Sequence, residues 1–218
     1  MKILASTMGK VYLVGAGPGD PELLTLKAAR CLGEADIVIY DRLVDRRILY
    51  LAPNASELIC VGKKGGHYNF PQHKINQLLA VQAHRGHQVV RLKGGDLFLF
   101  GRGGKEAVFL AEQKIPFEIV PGVTSAVAVP AAAGIPPTHR GCASSVAIVT
   151  GHGKNYAGDP IRWEHLSKSV DTLIVLMPLR NLRHIVNQLI LHGRSLNTPS
   201  ALIESGTLET QKQVVAPL

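Results

Sequence analysis

The sequence predicts an α/β protein with mostly parallel sheets, organised as two domains. Three observations carry that expectation. Short apolar runs alternate with helix-length segments along almost the whole chain, the pattern of parallel strands joined by helical crossovers. Two of those runs end in glycine turns: Gly15-Ala16-Gly17-Pro18-Gly19-Asp20 after Val11–Val14, and Gly94-Gly95-Asp96 after Val89–Leu92. Glycine lets a backbone turn sharply and lets a ligand come close because it has no Cβ, and open α/β sheets bind ligands in a crevice at the carboxyl ends of their strands. The third observation is a change of composition from Val123 to Gly141, where small apolar residues give way to the rigid run Ile135-Pro136-Pro137-Thr138-His139-Arg140. It sets the expected domains at 1–135 and 136–218.

In chain order, Val11–Val14 reads as a strand. Asp20 is a good N-cap, Pro21 suits a first helical position and Glu22 a first turn. Leu23, Leu24, Ala28, Cys31 and Leu32 then recur at helical spacing, which predicts one helix stopping at Gly33. Ala35–Tyr40 is the next strand, with Asp41 at its end. Leu58–Val61 reads as a strand, Pro71 to Arg85 as a helix, Val89–Leu92 as a strand, Gly103 to Gln113 as a helix and Phe117–Val120 as a strand stopped by Pro121-Gly122. A helix is expected within the small-residue stretch that follows. Ser145–Thr150, Thr172–Met177 and Pro199–Glu204 read as strands, Leu182 to Leu191 as a helix, and Gln213-Val214-Val215 begins another strand.

Composition narrows the function classes. At 46% hydrophobic the chain fills a core, and with 5% aromatic residues that core must be mainly Val, Leu, Ile and Ala. The net charge of +8 suits an anionic partner without choosing its kind, and there is no clustered basic tail. Cys31, Cys60 and Cys142 are far apart and form no Cys-x-x-Cys, so neither a disulfide set nor a zinc knuckle is indicated. Cys31 and Cys60 have apolar neighbours and are expected as core fillers. No signal peptide or membrane span is read, which makes cytoplasm the expected compartment. The histidines lack metal-ligand spacing, so no metal site is expected.

The glycine turns do not spell a nicotinamide site. In Gly15-Ala16-Gly17-Pro18-Gly19 the third glycine comes one position too early for G-x-G-x-x-G, and Pro18 removes an N–H that a phosphate would use. The Walker pattern and the G-x-S-x-G elbow are also absent. After Gly94-Gly95-Asp96, the stretch Leu97-Phe98-Leu99-Phe100-Gly101-Arg102-Gly103-Gly104 sets an arginine in a glycine-rich mouth, where its planar fork is suited to a carboxylate or phosphate. His152 follows a strand end in Thr150-Gly151-His152-Gly153-Lys154 and is expected near a ligand.

Together these stretches resemble the tetrapyrrole methylase family. The matching runs are Val-Gly-Ala-Gly-Pro-Gly-Asp-Pro at 14–21, Tyr-Asp-Arg-Leu-Val at 40–44, Val-Gly-Lys-Lys at 61–64, Arg-Leu-Lys-Gly-Gly-Asp at 91–96 and Phe-Gly-Arg-Gly-Gly at 100–104. Further on come Val-Pro-Gly-Val-Thr-Ser at 120–125, Gly-Ile-Pro at 134–136, Thr-His-Arg at 138–140, Thr-Gly-His at 150–152 and Glu-Ser-Gly-Thr at 204–207. The resemblance covers nearly the whole chain, in order. It implies two α/β domains flanking a cleft that binds S-adenosylmethionine. It implies Pro18, Gly94, Gly95, Asp96, Leu99, Thr124, Ser125, Met177 and Gly206 around that cofactor, several through backbone groups. Asp41 and Lys63 fall on positions assigned as proton acceptor and proton donor. Arg102, Arg140, His152 and Met177 fall on substrate positions, and Arg102 is also a candidate for the key catalytic group.

The implied reaction is C-methylation of uroporphyrinogen III at two pyrrole carbons, giving precorrin-1 and then precorrin-2, with S-adenosylhomocysteine as by-product. An electron-rich pyrrole carbon attacks a sulfonium methyl without prior deprotonation, and a macrocycle proton leaves later. The protein therefore supplies orientation and then a proton acceptor. A homodimer without nucleic acid or membrane partners is also implied. Siroheme, cobalamin and heme d1 routes share this step. The alternatives are another precorrin methyltransferase of the same fold and a catalytically weak tetrapyrrole- or cofactor-binding protein. Leu97, Lys105 and Pro178 depart from the family pattern. Family members also continue for about one more helix and a strand or two, so the resemblance implies a C-terminal domain short of those elements.

Overall fold

The computed structural model describes residues 8–54, 56–62, 70–151 and 161–218. They form two compact units, the first ending at Ser125 and the second running from Ala126 to Leu218. The sequence reading placed the division between 135 and 136. The helix before that point packs within the second unit, where Val129 lies directly against Gly206. The proline run is a connection inside that unit, closed by the Ala143 carbonyl, which accepts from the His139 N–H at 3.0 Å.

The first unit is built from β1 (Lys10–Gly15), α1 (Leu26–Gly33), β2 (Ile37–Tyr40), α2 (Arg46–Leu49), β3 (Glu57–Cys60), α3 (Gln72–His84), β4 (Gln88–Lys93), α4 (Gly103–Glu112) and β5 (Phe117–Val120). Its five-stranded sheet has the order β3-β2-β4-β1-β5, and every pairing is parallel. Helices cover both faces, as parallel sheets require. On one face Val14, Val38, Val90, Leu92 and Val120 pack with Ala28, Cys31 and Leu32 of α1 and Ile48 and Leu49 of α2. On the other, Val11, Leu13, Ile37, Ile39 and Val89 pack with Ile75, Leu79 and Ala83 of α3 and Leu110 of α4. The core is aliphatic, as the composition requires.

The helix expected from Pro21 is split in two. The Asp20 side chain accepts from the Glu22 N–H at 2.9 Å and starts a single 3-10 turn, Pro21–Leu23. The Thr25 hydroxyl then accepts from the Ala28 N–H at 3.2 Å and starts α1 afresh. Two N-caps five residues apart cannot serve one helix, because each needs its own residue in extended geometry. Cys60 is also corrected: it is exposed, because β3 is the edge strand. Cys31 is buried.

The second unit contains α5 (Ser125–Ala132, beginning at the junction), β6 (Val146–Thr150), α6 (Trp163–Ser169), β7 (Thr172–Leu176), α7 (Leu182–Leu191), β8 (Pro199–Glu204) and β9 (Lys212–Pro217). β6 and β7 pair in parallel, and Trp163, Ile185 and Leu189 form the core beneath them with Val149, Leu173 and Val175. β8 and β9 pair antiparallel. Their connection is a tight turn, in which Leu208 bonds Ser205 and Gln211 bonds Leu208. A parallel return needs a crossover of a dozen or more residues.

Candidate active site

The two glycine turns meet. β1 and β4 are neighbours, and the chain continues the contact past both strand ends as an isolated bridge between Gly17 and Gly95. Gly95 N–H donates to the Gly17 carbonyl at 2.6 Å, and Gly17 N–H to the Gly95 carbonyl at 3.2 Å. Gly122, after β5, closes on the same point. A Cβ on Gly15 would lie 2.5 Å from the Gly122 nitrogen, and one on Gly122 would lie 2.4 Å from the Gly95 oxygen. Glycine at these positions serves backbone-on-backbone packing. Gly95 is different: it has φ +67, and a Cβ there would meet nothing closer than the Ser125 nitrogen at 3.9 Å. This leaves an open cradle beside Gly95, with backbone on its near side.

Asp96 stitches the cradle together. Its Oδ1 accepts from the N–H groups of Phe98 at 2.8 Å and Leu99 at 3.0 Å, and its Oδ2 accepts from Gly122 at 3.1 Å. Pro18, Gly94, Gly95, Asp96, Leu99, Thr124 and Ser125 are thus brought to the carboxyl ends of β1, β4 and β5. Beyond Leu99 the loop is strained. Phe100 and Arg102 have φ of 56 and 61, a region costly for residues with a Cβ. Arg102 stands at the N-cap of α4 with no side-chain cap bond, and it is exposed.

Asp41, one residue past β2, is one-third exposed and faces two buried cations. Arg91 Nη2 donates to its Oδ1 at 2.6 Å, and Lys93 Nζ lies 3.4 Å from its Oδ2. Glu106 of α4, wholly buried, accepts from Arg91 Nε at 3.2 Å and lies 3.4 Å from Lys93 Nζ. Sequence reasoning missed Arg91, Lys93 and Glu106. The signal was present: two cations at alternate positions of an apolar strand share one buried face and must find anions there. Lys63 lies outside the described residues, as does His152.

In the second unit, the ends of β6 and β7 converge. Gly151 N–H donates to the Leu176 carbonyl at 2.7 Å, and a Cβ on Gly151 would lie 2.7 Å from Pro178 Cα. Met177, at φ 58, is half exposed. Gly206 is buried, and Ser205 and Thr207 on either side have φ of 53 and 69. Arg140 lines an open pocket with Thr138, His139, Ser144 and Asp171. Bonds from the Ser144 N–H, the Ser145 and Ser144 hydroxyls and the Ser145 N–H hold the Asp171 carboxyl below the usual range. Among the described residues, no group of three or more His, Cys, Asp or Glu is placed to hold a metal, and no helix is long and apolar enough to cross a membrane.

Residues 10–218 match the tetrapyrrole (corrin/porphyrin) methylases. The chain belongs to the tetrapyrrole methylase family. It is 50% identical over 211 residues, 97% of this chain and 89% of the relative, to a uroporphyrinogen-III C-methyltransferase of Priestia megaterium. It is 47% identical, over 96% of this chain and 87% of the relative, to one of Methanocaldococcus jannaschii. Among solved structures it is similar to a uroporphyrin-III C-methyl transferase of Thermus thermophilus complexed with S-adenyl homocysteine, with TM-score 0.81 and 44% identity over 96% of this chain and 83% of that one. A cobalt precorrin-4 methyltransferase superposes with TM-score 0.84 at 27% identity, over 95% of this chain and 85% of that one.

The three departures from the family pattern have distinct settings. Leu97 is fully buried in the face covered by α3 and α4, and its carbonyl accepts from Gly103 N–H at 2.9 Å. Leu97 thus both packs the core and closes the loop. Lys105 is exposed in the first turn of α4. Pro178 opens the 3-10 turn Leu179–Asn181 as its N-cap, a position that requires no N–H.

Proposed function

We propose that the protein transfers methyl groups from S-adenosylmethionine to two pyrrole carbons of uroporphyrinogen III, giving precorrin-1 and then precorrin-2. The observation that carries this reading is an open cradle beside Gly95 with a carboxylate at the same sheet end, in a chain 50% identical to a uroporphyrinogen-III C-methyltransferase. S-adenosylmethionine, when bound, supplies an electrophilic sulfonium methyl. In the first unit the residues assigned to it are Pro18, Gly94, Gly95, Asp96, Leu99, Thr124 and Ser125. In the second they are Met177 and Gly206.

The chain's own contribution is orientation and a proton acceptor. Arg102 and Arg140 are exposed, and their forks suit the carboxylates of the substrate, with bidentate bonds that fix its orientation. Arginine keeps its charge at any working pH, so Arg102 grips rather than deprotonates. Asp41 takes the macrocycle proton, and Arg91 and Lys93 hold its carboxylate in place. Lys63 is assigned as the proton donor, and His152 and Met177 to the substrate.

Steady-state kinetics test these roles. Asp41→Asn is expected to lower kcat by about 100-fold, the usual size of a lost general base, with S-adenosylhomocysteine affinity kept. Arg102→Ala is expected to raise KM for the tetrapyrrole. Unchanged kcat in the first variant would remove Asp41 from the chemistry.

A further inference from the structure

We propose that Glu106 is a positioning residue for this reaction, acting through Arg91 and Lys93 on Asp41. The inference rests on the reading of Asp41 as proton acceptor. One oxygen does the work. Glu106 Oε1 accepts from Arg91 Nε at 3.2 Å and from Gln72 Nε2 at 3.1 Å, and Lys93 Nζ stands 3.4 Å away. The same two cations then reach Asp41, Arg91 at 2.6 Å and Lys93 at 3.4 Å. Arg91 Nη1 is also anchored on the Ile39 and Leu92 carbonyls at 3.3 and 3.2 Å. The guanidinium is therefore fixed on three sides and presents its last edge to the carboxylate.

Stability does not explain this arrangement. Side-chain exposure is 1% for Arg91, 7% for Lys93 and 0% for Glu106. Taking such charges out of water carries a large desolvation penalty, and buried ion networks can often be replaced by apolar groups without loss of stability. The residues paired with Arg91 in the sheet, Leu13 and Ile39, are fully buried and apolar, a setting that would accept such groups. Of the four charged groups, Asp41 is the one that reaches the surface, at 32% side-chain exposure.

Among the described residues the charges also balance, two cations against two carboxylates. Without Glu106, both cations would bear on Asp41 alone, and Arg91 Nε would lose its buried acceptor. α4 makes the connection economical: its N-cap Arg102 is exposed and Glu106 in its first turn is buried, with the Glu106 N–H on the Arg102 carbonyl at 3.5 Å. Glu106 Oε2 has no hydrogen-bond partner among the described residues. Glu106→Gln can therefore keep the working oxygen and set its amide nitrogen where Oε2 stands, removing the charge without breaking any of the hydrogen bonds named above.

The test is a double-mutant cycle on the intact protein, with kcat and both KM values for the parent, Glu106→Gln, Asp41→Asn and the pair. Glu106→Gln is expected to lower kcat by about 10- to 100-fold, as misplacement of a reacting group does, with KM for S-adenosylmethionine unchanged. In the Asp41→Asn background it is expected to change kcat no further, because residues acting as a unit are not additive. Parental kcat in Glu106→Gln, or the same loss in both backgrounds, would overturn the proposal. Parental kcat in Asp41→Asn overturns the assignment of Asp41 itself, and a parent without turnover overturns the functional reading. If Glu106→Gln does not fold, Lys93→Met enters the same cycle with the same expectation.

Discussion

Asp96 stands at the end of a glycine turn, where the sequence suggests a ligand contact, yet its two oxygens serve three backbone N–H groups. Its effect on cofactor binding is therefore indirect: it holds the loop 96–99 and the turn at Gly122 in register. Asp96→Ala is expected to weaken S-adenosylhomocysteine binding and also to lower Tm, since each orphaned N–H costs about 1–3 kcal/mol where water cannot replace the bond. Calorimetric titration with thermal melts checks this, and unchanged affinity would remove Asp96 from the account. Glu118 behaves differently. Its bonds to Lys10 and Lys27 hold its carboxyl at about 2, below the ordinary 4.5. A depressed carboxyl contributes stability above its unfolded value and loses it as pH falls toward the folded one. Between about pH 5 and about pH 3 the parent is expected to lose more Tm than Glu118→Gln. Parallel curves would contradict this. The difference between the two is fullest at neutral pH and modest throughout, because the group is solvent-screened.

At the scale of elements, the glycine crossing explains why three strand ends can meet at one point. Gly122→Ala would drive a Cβ to 2.4 Å from the Gly95 oxygen. The backbone must then shift, at about 3 kcal/mol by analogy with overpacked cores, or on the order of 10 °C in Tm. Gly104 of α4 has nothing within 4 Å of its Cβ position. Gly104→Ala is expected to stabilise by about 0.5–1 kcal/mol through helix propensity alone. A destabilised Gly104→Ala or a neutral Gly122→Ala in thermal melts would show that this packing is misread. Legibility in the sequence followed the strength of local pattern. α7 and the strands of the first sheet were readable from apolar runs between turns. α6 was not: its seven residues, with two serines and a histidine, hold too little periodicity. The split before α1 depended on two competing caps, which spacing alone does not rank.

At the scale of the molecule, the two glycine turns singled out in the sequence meet at the carboxyl end of the first sheet, because glycine turns and strand order are local and topological signals. It did not show how Asp41 is held. That required the register of β2 on β4, with Ile39 opposite Arg91, and the approach of α4 across the sheet. The net charge of +8 agrees with a polycarboxylate substrate through general steering. The homodimer implied by the family resemblance is a separate expectation: light scattering is expected to give twice the chain mass, and a monomer would contradict it. The most direct measurement is an anaerobic assay of the protein with S-adenosylmethionine and uroporphyrinogen III, followed by mass and absorbance of the product. The account predicts multiple turnovers and two methyl groups added to each macrocycle. Failure to transfer any methyl group to uroporphyrinogen III would contradict it.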